Sequence, residues 1–264
     1  MTSADVRNGV TAALVTGASS GLGISFATEL AKRGHNLVLV ARRKEPMCEL
    51  AARLERDYGI KVIVEPLDLG ADDSAQILAK RLDAVGVEVD VLVNNAAFAV
   101  SGLFLKQDLS HLNAMLQLDV LAVTNLTHVF GQRMAQRGRG HILLVASVGA
   151  YTPSPFAAAY SAAKSYVLSL GVALRKEMAP IVGVTVMSPG LMETEFHQVA
   201  DYAINPAMRR SILPTDRVAK IGLDAMFAGR ADVVAGWINA IGAFMSRLLP
   251  RSTLAHMTYN MSKP

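Results

Sequence analysis

Six short runs of apolar residues, at roughly 12–16, 36–41, 60–65, 90–93, 140–146 and 183–187, alternate with longer stretches in which apolar positions recur every three or four residues. Runs of that length with little polar interruption predict strands covered on both faces, and the stretches between them predict amphipathic helices. Strand and helix in regular alternation predict an α/β chain with a doubly wound, mainly parallel sheet and helices on both faces. No internal repeat, low-complexity segment or break in composition divides the 264 residues, so one domain spanning 1–264 is expected, large enough for a substantial core.

The first strand and helix are joined by a turn with a chemical reason. Ala12 to Val15 are apolar, Gly17, Gly21 and Gly23 form G-x-x-x-G-x-G, and Ile24, Phe26, Ala27, Leu30 and Ala31 follow at helical spacing. Glycine lets the backbone turn sharply and approach a pyrophosphate, whose charge meets amide groups and the positive end of the helix dipole. Ser19 and Ser20 add hydroxyl donors, and Leu22 lies inside the same turn. A glycine-rich turn alone is weak evidence; the strand before it and the helix after it give it meaning. The second strand ends in Arg42 and Arg43 rather than in an acid. Arginine suits the 2′-phosphate of NADP, whereas a carboxylate suits the ribose hydroxyls of NAD, so NADP is expected over NAD. Arg42, nearer the strand, is the candidate contact, and Arg43 and Lys44 read equally well as a solvated basic loop.

Tyr160 and Lys164 stand four residues apart in YSAAK, thirteen positions after Ser147, which closes the run HILLVAS. At i and i+4 on a helix the ammonium can approach the phenol and stabilise its phenolate, making it a better acid than an ordinary tyrosine. Ser147, at the carboxyl end of a central strand, would stand where open α/β sheets bind ligands and could hold a substrate carbonyl oxygen. A tyrosine and lysine in this spacing are often only neighbours on a helix surface. The serine upstream and the nucleotide turn near the amino terminus point instead to catalysis.

These residues resemble the short-chain dehydrogenase/reductase family of the compact single-domain type, a Rossmann fold. TGASSGLG matches its cofactor turn, LDL around Asp68 its adenine contact, NNAA at 94–97 its NNAG element, and Ser147, Tyr160 and Lys164 its catalytic residues. SPGLMET at 188–194 looks like its P-G-x-x-x-T element, in which Pro189, Gly190 and Thr194 would hold the nicotinamide carboxamide. The resemblance runs from about Thr11 to Thr194. It implies an oxidoreductase with Asp68 and Leu69 flanking adenine, Asn94 and Ala96 on the adenosine ribose side, and Tyr160 and Lys164 also at the nicotinamide ribose. It also implies a homodimer or homotetramer paired through long helices at about 111–136 and 155–178. One position departs from the family pattern. Where the family has a catalytic asparagine that supports a proton relay, LDVLAVTNLTH places Asp119. Aspartate is nearly isosteric and could keep the relay. As a buried carboxylate it could instead pair with Lys164 and weaken its effect on Tyr160, or have its own pKa raised.

The single cysteine, Cys48, cannot form an internal disulfide, and MTSADVRNGV lacks the apolar core of a signal peptide, so a cytoplasmic setting is expected. The six histidines lack paired-ligand spacing, and no metal is expected. A net charge of +4 without a basic run interleaved with aromatics speaks for an anionic dinucleotide rather than nucleic acid.

The resemblance implies that residues 191–212, a mixture of polar and bulky apolar side chains, form a lid over the substrate, with Phe196, Tyr202, Ile204 and Met208 as pocket candidates or, alternatively, as residues that pack on the sheet and touch no ligand. An apolar lid suits a small apolar carbonyl or alcohol substrate. Toward the carboxyl end, Trp237, Ile238, Ile241, Phe244, Met245, Leu248 and Leu249 fall on one helical stripe, with Asn239, Ser246 and Arg247 off it. The stretch is short for a bilayer span. Its stripe would be buried in the core or a subunit interface, with weak peripheral membrane contact through residues 233–251 as the alternative. The rival to an enzyme is a cofactor-binding regulatory or scaffold protein of the same fold that turns over weakly or not at all, a reading only Asp119 favours.

Overall fold

A computed structural model describes residues 10–192 and 212–262. Its sheet has seven parallel strands in the order β3-β2-β1-β4-β5-β6-β7. They are β1 (Val10–Thr16), β2 (Asn36–Ala41), β3 (Val62–Pro66), β4 (Val87–Asn94), β5 (His141–Val145), β6 (Gly183–Ser188) and β7 (Asp232–Val234). The register sets Leu14 beside Val38 on one flank and Leu92 on the other. The first six strands lie where the apolar runs predict; β7, three residues long, is an addition.

Between the strands lie α1 (Gly21–Lys32), α2 (Lys44–Tyr58), α3 (Ser74–Ala84), α4 (Leu109–Leu116), α5 (Val123–Arg137), α6 (Ala158–Met178) and α7 (Thr215–Phe227). A π-helical turn, Gln117–Ala122, joins α4 to α5. The two-residue period of the strands divides their side chains between two layers. Ala13, Val15, Leu37 and Leu39 enter the layer under α1, α2 and α7, with Phe26 at its centre. Ala12, Leu14, Val38 and Val40 enter the opposite layer with Phe130 of α5 and Val167 of α6. Burying a side chain of this size contributes about 2 kcal/mol, and both faces of the sheet are paid for in this way. The apolar strands therefore need no polar alternation, as the sequence pattern implies.

Strand order reverses between β1, which is followed in space by β2 and β3, and β4, which is followed by β5 to β7. Ligands of open α/β sheets bind at such a switch point, beyond the carboxyl ends of the strands. Here those ends carry Gly17 after β1, Asn95 after β4 and Ser147 after β5.

The opposite end of the sheet is held by an aromatic cluster. His35 stacks on Phe227 (5.6 Å, 7°), His141 meets the same ring edge-on at 5.5 Å, and the Arg33 guanidinium lies 5.4 Å from its centroid. Burial is the largest influence on both imidazoles and holds each below the ordinary histidine pKa; Arg33 lowers His35 further, and Asp90 acts against the shift at both. The folded-state values lie below the unfolded ones, so the unfolded chain takes up protons first as the pH falls. The contribution is complete above the unfolded pKa of about 6.5 and is lost as the pH falls toward the folded-state values. Thermal melts should show Tm falling between pH 7 and pH 5, with a smaller fall in a His35→Asn/His141→Asn variant; equal slopes would remove the histidines as the cause.

After β7 the chain forms α8 (Trp237–Met245), a 3-10 turn (Ser246–Leu248) and α9 (Arg251–Ser262). The predicted apolar stripe is present, but it is not in the core. Trp237 is 74% exposed and Leu248 63%. No helix among the described residues is long and apolar enough to cross a membrane.

Candidate active site

The glycine turn is shaped by contacts that only glycine permits. Gly17 (φ +68°) lies so close to Asn95 and Ala96 that a Cβ would sit 2.9 Å from the Asn95 amide nitrogen and 3.0 Å from the Ala96 Cα. At Gly23 a Cβ would collide with the Gly17 carbonyl, so the first turn of α1 packs directly on the strand end. Ser20, the residue that opens α1, forms no side-chain cap. The first amides of α1 are therefore uncapped by that side chain, at the positive end of the helix. These features fit a dinucleotide pyrophosphate.

Thr16 and Asn95 fix the turn against β4. The Thr16 hydroxyl accepts from the backbone N–H groups of Asn95 and Ala96, each at 2.9 Å, and the Asn95 side chain donates to the Thr16 carbonyl at 2.8 Å. Sequence reasoning missed both, although a threonine ahead of the first glycine and the paired asparagines were the available signals. Asn94, expected beside the adenosine ribose, turns its side chain into the core, 2% exposed, and donates to Thr127 Oγ1 at 3.0 Å. Asp68 is exposed and accepts from Gly70 N, while Leu69 is buried in the core. Arg42 is exposed just beyond β2. Arg43 reaches back over the turn, donating to the Ser19 carbonyl at 3.2 Å and to its hydroxyl at 3.4 Å. Of the two arginines the one passed over is thus the one in contact with the glycine turn.

Ser147, Tyr160 and Lys164 come together beyond β5. The Ser147 oxygen accepts from Gly149 N at 3.1 Å, which leaves its proton to donate, and it hydrogen-bonds Tyr160. Lys164 is 3% exposed. Its ammonium lies 5.6 Å from the Tyr160 ring centroid, 3.3 Å from the Val145 carbonyl and 3.2 Å from Asp119 Oδ2. Asp119 sits in the π-helical turn, fully buried, and its Oδ1 accepts from Phe98 N at 3.1 Å. Of the alternatives open for this residue, the geometry realises the pairing with Lys164, and burial raises the carboxyl's own pKa as well.

The electrostatics follow from that pair. Burial pushes Asp119 up, with the Lys164 charge and the Phe98 amide pulling it back. Burial lowers Lys164, but Asp119 and Tyr160 more than offset it and hold the ammonium above the ordinary lysine value. The two groups titrate as one unit. Tyr160 is partly exposed by area yet closely walled in, and desolvation raises its phenol above the ordinary value. Lys164 and the Ser147 hydrogen bond lower it, while Asp119 works with desolvation. A phenol acidified by Lys164 was the expectation; the lysine does pull that way, but desolvation and the neighbouring carboxylate outweigh it.

Pro189 and Gly190 follow β6, where Val148 N donates to the Pro189 carbonyl at 2.9 Å and Asn239 of α8 packs on Gly190. Thr194, Phe196, Tyr202, Ile204, Met208 and most of the expected lid lie outside the described residues.

The short chain dehydrogenase family matches residues 11–203. A very-long-chain 3-oxoacyl-CoA reductase of Pyricularia oryzae is 34% identical over 215 residues, covering 78% of this chain and 61% of the relative. An 11-beta-hydroxysteroid dehydrogenase A of Sesamum indicum is 32% identical over 216 residues, covering 79% and 61%. The chain thus spans about 61% of the length of these relatives. Among solved structures, a short-chain dehydrogenase from Sphingobium yanoikuyae in complex with NADPH superposes with a TM-score of 0.78 at 30% identity, over 90% of this chain and 94% of that one. A bulky-bulky ketone specific alcohol dehydrogenase from Comamonas testosteroni gives 0.75 at 27%, over 92% and 93%. With the glycine turn after β1, the serine, tyrosine and lysine beyond β5 and a match over most of its length, this chain belongs to the short-chain dehydrogenase/reductase family.

Proposed function

We propose that the protein is an NADP(H)-dependent oxidoreductase that interconverts an alcohol and a ketone or aldehyde on an apolar substrate. The observation that carries this reading is the placement of Ser147, Tyr160 and Lys164 together beyond the carboxyl end of β5, with the Ser147 hydroxyl hydrogen-bonded to Tyr160. Bound NADPH would supply the hydride. Ser147 would orient the carbonyl oxygen, Tyr160 would give that oxygen its proton, and Lys164 would stabilise the phenolate left behind. Similarity to a ketone-specific alcohol dehydrogenase and to steroid and acyl-chain enzymes supports a bulky apolar substrate.

Arg43, lying across Ser19, and Arg42 beside it support NADP over NAD. Replacing both by alanine should weaken NADPH binding roughly tenfold or more, since hydrogen bonds to charged groups contribute about 1.5–3 kcal/mol, with NADH binding little changed. Titration of each dinucleotide checks this; equal losses for both would mean that the arginines do not read the 2′-phosphate.

The second reading, a cofactor-binding regulator, is favoured by the Asp119–Lys164 pair, which draws the lysine charge away from the phenol. NADPH oxidation across a panel of apolar ketones and aldehydes separates the two, because the regulator binds NADPH and turns nothing over. Exposed apolar side chains on α4 and α6, among them Leu109, Tyr166 and Val172, support a homodimer or homotetramer formed through these helices. The proposed setting is cytoplasmic.

A further inference from the structure

The polarity of α8 is the reverse of a helix laid on its own core. The inward side of α8 and of the 3-10 turn after it is small and polar: Ala243 and, in the turn, Ser246 are buried, and Asn239 packs on Gly190 and donates to the Ala235 carbonyl at 2.8 Å. The outward side carries Trp237, Ile241 and Phe244 on α8 and Leu248 in the turn, spaced i, i+4, i+7 and i+11 and 74%, 54%, 59% and 63% exposed. A contiguous apolar stripe of this kind is unfavourable in water and marks an interaction surface.

Charge identifies what covers it. From Val233 to Pro264 the sequence contains no aspartate or glutamate, although the chain has 22 acidic residues in all; Arg247 and Arg251 flank the stripe and Lys263 follows. An apolar face with tryptophan and phenylalanine, carrying only positive charge within its own segment, complements an anionic lipid surface. A second copy of the chain fits less well, because in an isologous pairing this segment offers no acid to its partner's arginines.

The same segment is tied to the rim of the active site. The Tyr259 ring of α9 stacks on Phe156 at 5.3 Å, and Thr258 Oγ1 donates to the Pro153 carbonyl at 2.9 Å. Phe156 is one of two non-glycine residues among those described with positive φ (+66°), a conformation that costs about 1–3 kcal/mol and persists where the surroundings impose it. Its carbonyl accepts from Gly102 N at 2.8 Å, which brings the loop bearing Leu103, Phe104 and the 95% exposed Leu105 alongside. The chain from Pro153 to Tyr160 connects this contact to the reacting hydroxyl.

We propose that α8 and the 3-10 turn after it form a docking surface for an anionic lipid bilayer. Trp237, Ile241, Phe244 and Leu248 seat at the boundary of headgroups and acyl chains, Arg247 and Arg251 meet the headgroups, and the rim at Pro153–Phe156 is held at the membrane. Docking stands without the proposed activity; only its consequence, entry of an apolar substrate from the lipid, rests on that reading.

Trp237 is the single tryptophan of the chain and reports directly on the surface. The full chain is mixed with vesicles of phosphatidylcholine alone and with vesicles that also contain phosphatidylglycerol. With the anionic vesicles the protein co-sediments and its tryptophan emission shifts to the blue; phosphatidylcholine alone gives little of either. Arg247→Gln/Arg251→Gln lowers the affinity roughly tenfold or more, on about 1 kcal/mol per basic residue. Ile241→Ser/Phe244→Ser abolishes the shift, while NADPH oxidation with a water-soluble ketone, measured separately, stays at the wild-type rate. Three results overturn the proposal: no shift with either vesicle, equal binding to both, or a blue shift that appears with protein concentration alone and accompanies dimer formation. None of the three bears on whether the site turns over.

Discussion

Tyr160→Phe should lower NADPH-dependent ketone reduction by about 10²–10⁴-fold, the usual worth of a positioned acid, while leaving NADPH affinity close to that of the wild type. The variant loses only the hydroxyl, so the ring remains against Lys164 and Ser147 keeps its bond from Gly149. Steady-state rates and a dinucleotide titration read the two quantities separately. A variant that retains most of its turnover would mean that the proton comes from elsewhere, and Ser147 would then be the nearest hydroxyl to examine.

The second large effect concerns Asp119. Its negative charge adds to the desolvation that holds the Tyr160 phenol high, so removing the charge in Asp119→Asn lowers the phenol's pKa. The limb on which reduction fails, through loss of the phenol proton, should move to lower pH. Alcohol oxidation near neutrality, which needs the phenolate, should rise on the order of tenfold, about 1.4 kcal/mol in barrier. The amide of asparagine can still accept from Phe98 N. Both variants leave the buried Lys164 ammonium without its counter-charge, at a cost of about 3–5 kcal/mol, so both should melt below the wild type. Asp119→Ala also leaves Phe98 N without its acceptor, about 1–3 kcal/mol more, and should melt lower than Asp119→Asn. An unchanged pH profile in Asp119→Asn would remove Asp119 from the chemistry and leave it a structural partner of Lys164.

How much of this was legible in the sequence depends on which interactions leave a periodic trace. The strands buried in both layers, such as Leu37–Val40, appear as unbroken apolar runs, and the Gly17–Gly23 turn appears because close approach excludes every other residue. The strand β7 could not be read, because three residues are too few to show a period. The π-helical turn that carries Asp119 was equally hidden, since a shift in backbone hydrogen bonding has no compositional marker. The choice between Arg42 and Arg43 turns on where β2 ends, by a single residue. The stripe on α8 gives the sharpest lesson. Its period predicts a helix with two unlike faces, but period alone does not say which face meets the protein. The structure answers it: Asn239 packs so closely on Gly190 that a Cβ there would collide with it, and Ala243 is buried on the same side.

Arg43, Asp119 and the docking face all modify one core assertion, that Ser147, Tyr160 and Lys164 reduce a carbonyl held beside the dinucleotide turn. Transfer of the isotope from NADPH deuterated at C4 tests it most directly, with a bulky apolar ketone as acceptor and mass spectrometry of the alcohol formed. The account predicts one deuterium on the carbinol carbon of the alcohol formed by the wild type, and almost no alcohol from Tyr160→Phe. An alcohol formed without deuterium from either face of the labelled nicotinamide, or NADPH bound with no alcohol formed from any carbonyl tried, would contradict it.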